Sequence, residues 1–223
     1  MTPVYVTLPL LLTLKVALGT LLLHIFIGIA LAWYLSKGGG WLRRFLDMLI
    51  SLPLLFPPIV IGLFLLYILG KHSPLGLALK GVGIEVVFTP FGVLIASFIA
   101  GLPLVVKPIQ ASFCEQDGIY SEASYVLGKG EFETFLRVIL PCSFKVILAS
   151  LFLGLARSLG EVGITLMLGG NIINETDTMS LAIYNHAFSG EMDKALVLSL
   201  TLGLFSLAIF ALLSYQNWDK ARR

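Results

Sequence analysis

The sequence predicts an all-helical membrane protein with five transmembrane helices. Of its 223 residues, 57% are hydrophobic and only 13% are charged, whereas an ordinary soluble domain carries about 25% charged residues. The mean hydropathy is +0.95. Five apolar runs are long enough to cross a hydrocarbon core of ~30 Å as helices, which satisfy their own backbone hydrogen bonds in lipid. The composition therefore excludes a soluble enzyme, and a net charge of +2 does not suggest nucleic acid as a partner.

The five predicted spans differ in how many charged residues they contain. The first is interrupted by Lys15 and His24, the second carries Asp47 near its start, and the fifth has no charged residue. The runs cover residues 8–35, 45–69, 88–109, 138–159 and 195–215. They indicate one membrane domain over residues 1–223.

Residues 161–194 are predicted to form an outer loop with a short helix near Met179–Phe188. The apolar stretch from Val162 to Leu168 is too short to cross a membrane, and the Gly-Gly-Asn sequence at 169–171 interrupts it. We therefore expect no sixth span.

The distribution of Lys and Arg predicts the orientation of the chain, because connections on the cytoplasmic side carry an excess of these residues. Eight of them fall on one side of the predicted spans and three on the other. The first set is Lys37, Arg43, Arg44, Lys129, Arg137, Lys220, Arg222 and Arg223, and the second is Lys71, Lys80 and Lys194. The N-terminus is expected outside and the C-terminus in the cytoplasm, which places the polar segment 121–133 on the cytoplasmic side.

The segment 121–133 has the features of a short capped helix on the protein surface. Ser121 is a favourable N-cap, and Glu122 would then lie in the first turn, where its charge suits the helix dipole. Gly128 can adopt the left-handed conformation that ends a helix. The candidate contact residues of this region are Glu122, Ala123, Ser124, Gly128, Leu140 and Pro141, in which Ala123 and Ser124 offer small side chains that a partner can approach.

Three prolines, Pro53, Pro57 and Pro58, lie inside the second predicted span. Each removes a backbone donor and clashes with the preceding turn, so this helix must bend or break. Irregular backbone at membrane depth is tolerated where it is buried in protein or lines a water-filled cavity. Two interpretations stay open: the prolines line or gate a translocation path, or they form a structural kink.

Arg157 and Glu161 lie four residues apart near the end of the fourth predicted span. On a helix they share a face, and either charge alone would be unfavourable in lipid. An ion pair that holds neighbouring helices together is the favoured interpretation, with an oxyanion contact by Arg157 as the alternative. Ser158 and Gly160 complete this set of path candidates, and Gly160 and Gly163 would let another backbone approach closely.

No catalytic, cofactor-binding or metal-binding residue is predicted. The sequence has no G-x-x-x-x-G-K-[ST] phosphate-binding loop, so the chain is not expected to hydrolyse ATP itself. His24, His72 and His186 are scattered along the sequence. The two cysteines, Cys114 and Cys142, both fall on the predicted cytoplasmic side, where free thiols are expected.

The spacing around the polar segment resembles the cytoplasmic signature of binding-protein-dependent ABC importer permeases, E-A-A-x3-G-x9-I-x-L-P. The match begins at Glu122 and ends at Pro141, with Ser124 in place of the third-position Ala and Val138 in place of the Ile. In such permeases a short coupling helix docks into a cleft on the ATP-hydrolysing subunit. The resemblance implies this role for residues 121–133 and the importer permease fold for the chain.

Three further segments indicate a more specific family within the importer permeases. Residues 52–58, 156–163 and 171–176 together look like the permease of a molybdate ABC importer, and sulfate and tungstate permeases are close relatives. The resemblance implies an inner-membrane homodimer that encloses one path, a pair of separate ATPase subunits, and a periplasmic or surface-tethered binding protein that delivers the anion.

Three other classes of membrane protein compete with this interpretation. A secondary transporter driven by an ion gradient usually has more spans and a repeated half. A membrane-embedded enzyme would need reactive groups on several spans, whereas these spans offer mainly Lys15, His24, Asp47 and Arg157. A scaffolding membrane protein that shares only the docking helix is the third alternative.

Overall fold

The computed structural model describes residues 4–218, without the side chains of residues 4, 209, 210 and 212–218. Lys220, Arg222 and Arg223, which contribute to the predicted orientation, lie outside the described residues. Within the described range every regular element is a helix, in agreement with the predicted fold class.

Twelve α-helices and two π-helical turns lie within residues 4–218. The α-helices are α1 Val4–Leu23, α2 Ile29–Ser36, α3 Trp41–Leu55, α4 Pro58–Leu69, α5 Pro74–Gly81, α6 Pro90–Val126, α7 Glu131–Thr134, α8 Leu140–Cys142, α9 Phe144–Leu159, α10 Gly163–Gly169, α11 Met179–Phe188 and α12 Met192–Trp218. The π-helical turns His24–Gly28 and Phe135–Ile139 join α1 to α2 and α7 to α8 without a break in the helical backbone.

The lengths and compositions of these helices allow up to four membrane crossings among the residues that the structure describes. Two of them are single helical segments, and two are helix pairs bent at a short break. The segments are Tyr5–Ser36 and Pro90–Val126, and the pairs are Pro58–Leu69 with Pro74–Gly81 and Glu131–Cys142 with Phe144–Leu159, bent by 60° and 72°. The predicted fifth span lies within α12, whose last side chains are not described.

The second predicted span is broken, as its prolines predicted. The helix α3 ends at Leu55, Phe56 is extended with φ −98° and ψ 146°, and α4 begins at Pro58. Pro53 is accommodated inside α3, so the break occurs at Pro57. Pro58 occupies the first helical position of α4, where a missing N–H removes no helical hydrogen bond.

The helix that contains the third predicted span continues much further than the hydropathy pattern indicated. This finding corrects the prediction of a separate short coupling helix that begins at Ser121. The helix α6 has 37 residues and ends only at Val126. Ser121 is therefore no N-cap: its Oγ instead donates to the carboxylate of Asp117, one turn earlier in α6. Glu122 lies in the last turns of α6, where the helix dipole does not favour a negative charge.

The prediction of a loop with a single short helix over residues 161–194 is wrong for residues 163–169, which form a second helix, α10. The short helix α10 is buried, with Ile164 and Leu168 inaccessible to solvent, and the start of α11 is buried at Met179 and Leu181. The predicted helix Met179–Phe188 is confirmed as α11. The seven residues of α10 are too few to cross a membrane, but other helices cover its buried side chains.

The helix α6 is central to the bundle and packs against α1, α2, α3, α9 and α10. Towards its C-terminal half, Val105, Ile109 and Phe113 are fully buried. Towards its N-terminus, Ala96 and Ala100 pack with residues of α4 and α10. The helices α3 and α9, which carry Pro53 and Arg157, therefore both contact α6.

Glycines allow α6 and α9 to cross closely. A Cβ atom on Gly101 would lie only 2.5 Å from the carbonyl oxygen of Gly154, so any side chain there would separate the helices. The buried His24 of the first π-helical turn lies beside this crossing, and its Nε2 lies 3.1 Å from the carbonyl oxygen of Phe98. The first span is thus attached to α6 in the middle of the bundle.

Candidate functional site

The segment with the permease signature forms the end of α6 and a turn into α7, and we refer to residues 121–134 as the α6–α7 hairpin. Gly128 turns the chain with φ +72°. Its N–H donates to the carbonyl of Tyr125 (2.9 Å), and the N–H of Lys129 donates to that of Ser124 (3.1 Å). This arrangement confirms the predicted helix-ending role of Gly128.

Ser124, which replaces the signature Ala, holds the two arms of the hairpin together. Its Oγ lies 2.7 Å from Thr134 Oγ1, and both side chains are buried. Thr134 Oγ1 also lies 3.0 Å from the carbonyl oxygen of Gly130. Ser124 therefore faces the interior of the hairpin, whereas Glu122 and Ala123 are exposed. The prediction that Ser124 presents a small surface to a partner is wrong.

The tip of the hairpin exposes large apolar side chains. Val126 is 88% exposed and Leu127 is 77% exposed. Tyr125 and Phe132 extend this exposed apolar surface on either side of the turn. Contiguous exposed apolar surface marks a site of interaction with protein or membrane, so the hairpin tip is a candidate contact surface.

Lys37 connects the hairpin to the first span. Its Nζ lies 3.3 Å from Asp117 Oδ1 on α6 and 3.1 Å from Glu131 Oε1 on α7. Burial lowers the pKa of the Lys37 ammonium, but the hydrogen bonds with Glu131 and Asp117 outweigh burial, so its pKa lies above 10.5. No local spacing in the sequence relates these three residues, so the sequence analysis did not predict their contacts.

Aromatic stacking adds a second connection between the hairpin and the bundle. The rings of Trp33 on α2 and Phe135, just after the hairpin, are stacked with centroids 4.4 Å apart. Phe113 on α6 meets Phe135 edge-on at 5.3 Å. Of the two candidate contact residues that follow, Leu140 packs against this core, whereas Pro141 is exposed.

The predicted ion pair of Arg157 and Glu161 is present. Arg157 Nη1 lies 2.6 Å from Glu161 Oε2, and the Glu161 side chain is only 1% exposed. The other carboxylate oxygen accepts a hydrogen bond from the N–H of Ile164 at 2.8 Å. Glu161 therefore has two tasks, because it neutralises Arg157 and also caps the buried helix α10.

The structure brings the proline break next to the Arg157–Glu161 stretch. A Cβ atom on Gly163 would lie 2.9 Å from both Pro58 Cβ and the backbone nitrogen of Ile59. The close approach predicted for Gly163 is thus confirmed, since it allows α10 to contact the start of α4. A Cβ atom on Gly160 would meet only the carbonyl oxygen of Ala156 in its own helix, at 3.8 Å. The close approach predicted for Gly160 is therefore not met among the described residues.

A small cavity lined by both polar and apolar residues adjoins this cluster. Its volume is about 10 Å³, close to the space that one water molecule occupies. Ser158, one of the path candidates, lines it, and its Oγ lies 2.7 Å from the carbonyl oxygen of Ser97. Thr13, Ser97, Glu161 and Thr178 also contribute to the lining. Polar side chains from separate parts of the chain therefore meet inside the bundle.

Comparisons with known proteins identify the class of this chain. The family model described as binding-protein-dependent transport system inner membrane component matches residues 24–223. The chain belongs to this family.

Several known proteins are similar in sequence to this permease over most of its length. It is 35% identical over 209 residues to the molybdenum transport system permease protein ModB of Azotobacter vinelandii, which covers 93% of this chain and 92% of that protein. ModB of Haemophilus influenzae is 35% identical over 78% of this chain and 76% of its own length. The probable sulfate transport system permease protein cysT of Prototheca wickerhamii is 29% identical over 95% of this chain and 83% of its own length.

A solved structure shows the same fold. A bacterial ABC transporter involved in the import of the acidic polysaccharide alginate superimposes with a TM-score of 0.75 and 17% identity, over 98% of this chain and 80% of that chain. The permease therefore has the all-helical fold of an ABC importer membrane subunit.

The permease also contains an ion pair that was not predicted. Asp47 Oδ1 on α3 lies 2.5 Å from Lys107 Nζ on α6. Asp47 is the only acidic residue in the five predicted spans, and Lys107 lies in the third of them. Because a lone charge in a span is unfavourable, the sequence indicates that Asp47 needs a partner, but the predicted spans contain four cations, Lys15, Lys107, Lys145 and Arg157, and do not single out Lys107.

Within the described part of the permease, no group of three or more His, Cys, Asp or Glu side chains is placed to hold a metal ion. Cys114 and Cys142 are free and exposed. Both thiols are therefore accessible to reagents, and any labelling experiment must replace them.

Proposed function

We propose that this chain is the permease subunit of an ATP-driven importer of an oxyanion, and that the oxyanion is molybdate. The 35% identity to ModB of Azotobacter vinelandii over 93% of this chain carries the proposal. The match extends over 92% of that protein as well, so it is not confined to the hairpin that importer permeases of many substrates share.

Sulfate is the second candidate, because a relative named as a probable sulfate permease is 29% identical over 95% of this chain. Tungstate has the same charge and shape as molybdate. All three anions are tetrahedral and doubly charged, so a path with few specific contacts would accept each of them. We expect the binding protein to provide most of the selectivity.

The α6–α7 hairpin is the proposed contact with a separate ATP-hydrolysing subunit. Its tip exposes Val126 and Leu127 beside the exposed Glu122 and Ala123. The exposed Pro141 follows at the bend into α9 and extends the proposed contact region, whereas Leu140 packs against the core. The chain itself has no phosphate-binding loop, so the energy must come from this partner.

Two copies of the chain are proposed to enclose one path in the inner membrane. Each copy crosses the membrane five times, with the N-terminus outside and the C-terminus and hairpin in the cytoplasm. Two of the five are the single segments Tyr5–Ser36 and Pro90–Val126, and the other three would be the bent pair of α4 and α5, the bent pair that ends in α9, and the helix α12. A two-fold interface between copies provides a path that one small bundle is too narrow to contain.

The proposed transport cycle is alternating access. A binding protein delivers the anion to the outer mouth, and closure of the ATPase pair draws the two hairpins together. Because Lys37 and Trp33 connect each hairpin to the first span, the helices that enclose the path are expected to follow this movement. ATP binding then shifts the population of inward-facing and outward-facing states.

The test is uptake of labelled molybdate by proteoliposomes that contain the complex with its ATPase subunits and binding protein. We expect uptake that requires ATP and binding protein, that excess tungstate reduces strongly, and that excess sulfate reduces weakly. Sulfate competing better than tungstate would favour the sulfate candidate. Uptake without ATP would overturn the importer proposal.

A further inference from the structure

We propose that the small cavity beside the Arg157–Glu161 pair binds one ordered water molecule, which bridges the first span to the Glu161 carboxylate. Besides apolar side chains, the lining of the cavity includes a carboxylate and four residues with hydroxyl groups, namely Glu161, Thr13, Ser97, Ser158 and Thr178. The inference is independent of the proposed function, because it concerns how the helices are held together and needs no transported anion.

The cavity lies inside the helix bundle. Thr13, Ser97 and Ser158 belong to the first, third and fourth predicted spans, and all three line the same space. Each of the five polar residues of the lining is at most 6% exposed, so bulk water does not satisfy their polar atoms. Buried polar groups are in the large majority hydrogen-bonded to protein or to ordered water. Hydrogen-bonding capacity that the chain leaves unused has to be met within the cavity.

Three of the hydroxyl groups have a proton that no residue within the described range accepts. Thr13 Oγ1 accepts the N–H of Met179 at 2.8 Å, and its own proton has no acceptor there. Thr178 Oγ1 likewise only accepts, from the N–H of Leu181 at 3.5 Å. For Ser97, the carbonyl oxygen is bonded but Oγ has no described partner. The lining therefore offers up to three donors.

The lining also offers acceptors. The two carboxylate oxygens of Glu161 each contact one donor, although a carboxylate has about four lone-pair sites. Ser158 Oγ lies 2.7 Å and 2.8 Å from two carbonyl oxygens, so its single proton is used and its lone pairs can accept. Donors and acceptors thus meet around a space of about 10 Å³, which suits one water molecule.

A water molecule matches this set of groups better than a cation does. Its two protons can bond with Glu161 and Ser158, and its oxygen can accept from two of the three hydroxyl groups, within the two to four hydrogen bonds of a buried water. A cation would leave the hydroxyl protons without an acceptor. Because Arg157 already neutralises Glu161, a cation would also add an unpaired charge inside the bundle.

The water joins elements that are distant in the sequence. Thr13 lies on α1 and Ser97 on α6, whereas Thr178 is the N-cap of α11. A water molecule can reorient among several partners, so it keeps these hydroxyl groups paired when the helices shift slightly against each other. The Arg157–Glu161 pair is thereby attached to the first span through a contact that tolerates movement.

A structure of the complete complex in lipid nanodiscs, at a resolution that shows ordered water, tests the site directly. We expect one density peak in the cavity, about 2.6–3.2 Å from the Glu161 carboxylate and from at least two hydroxyl oxygens. A cavity without density, in a map that shows other buried waters, would refute the inference. A peak about 2.4 Å from its oxygen neighbours would refute it as well, because that distance indicates a cation.

Removal of single hydroxyl groups provides a second test. Ser97→Ala removes a hydroxyl that the water would pair, whereas the control Ser150→Ala removes a buried hydroxyl that has no described partner and lies outside the cavity lining. Both residues lie inside helices, so the gain in helix propensity is the same. We expect the complex with Ser97→Ala to unfold about 2–4 °C below the complex with Ser150→Ala. Equal unfolding temperatures, or a higher one for Ser97→Ala, would show that the cavity is dry.

Discussion

Lys37 Nζ lies 3.1 Å from Glu131 Oε1, and this contact ties the end of α2 to the beginning of α7. The same ammonium lies 3.3 Å from Asp117 Oδ1 on α6, so one cation joins three helices. The Trp33–Phe135 stack adds an aromatic contact between the same parts of the chain. We therefore expect the α6–α7 hairpin and the first span to move together.

Lys37→Met should uncouple ATP hydrolysis from transport. The change leaves two carboxylates close together without their shared cation, and the hairpin loses its polar connection to α2. We expect the ratio of molybdate transported to ATP hydrolysed to fall several-fold in proteoliposomes. Lys129→Met is the matched control, because Lys129 is more exposed and pairs with Glu133 within the hairpin itself. An equal loss in both variants would contradict the prediction.

Gly128→Ala should destabilise the end of the hairpin. At φ +72° with no neighbouring atom within 4 Å of a Cβ, the added methyl meets no clash, and the cost is the left-handed conformation alone, about 1–2 kcal/mol. Gly118→Ala is the control: it also has open space but lies within α6, where Ala is favoured by about 1 kcal/mol. Amide hydrogen exchange in α7 should increase for Gly128→Ala and not for Gly118→Ala.

Exchanging the charges of Arg157 and Glu161 should fail to restore function. From the sequence alone, a structural pair predicts that the swap retains more function than either single change. The structure revises this expectation, because Glu161 also accepts the N–H of Ile164 and Arg has no acceptor. Leaving that buried donor unpaired costs about 1–3 kcal/mol. The measurement is thermal unfolding and uptake of the single and double variants; full recovery in the swap would show that the cap is unimportant.

Acid should weaken the turn between α11 and α12. Hydrogen bonds from Lys194 and His186 lower the pKa of Glu191 below 4.5. A carboxyl group with a lowered folded-state pKa stabilises the fold above its unfolded pKa, and this contribution is lost as the pH falls through the folded value. Glu191→Gln should therefore unfold at a lower temperature than the unaltered protein at pH 7, and the difference should disappear below about pH 4. A difference that is independent of pH would contradict this assignment.

Local rules predicted several features of the site correctly. The proline break near Pro57, the left-handed Gly128 and the Arg157–Glu161 pair all depend on residues that are adjacent or one turn apart. The helix Met179–Phe188 was also predicted with its bounds. In each case the physical cause lies within a few residues of sequence, where steric and helical spacing decide the outcome.

Features that depend on distant residues were not predicted. Asp47 and Lys107 are 60 residues apart, and Lys37 and Asp117 are 80 apart, so no local pattern relates them. The length of α6 was missed because the polar stretch after Ile109 was interpreted as a loop, although it contains no proline that would stop the helix. The burial of α10 depends on α4 and α6, which meet it only in the folded chain.

The continuity of α6 has a mechanical consequence. Its 37 residues extend for about 55 Å and include Pro103 and Pro108 without a break in the helix, so a tilt imposed near Val126 reaches Pro90 along one continuous helix. The neighbouring α3 and α4 are separated by the extended Phe56 and can pivot against each other. In the proposed path, one wall would then tilt as a continuous helix while the other bends at Phe56, and the width between them would change most beside that residue.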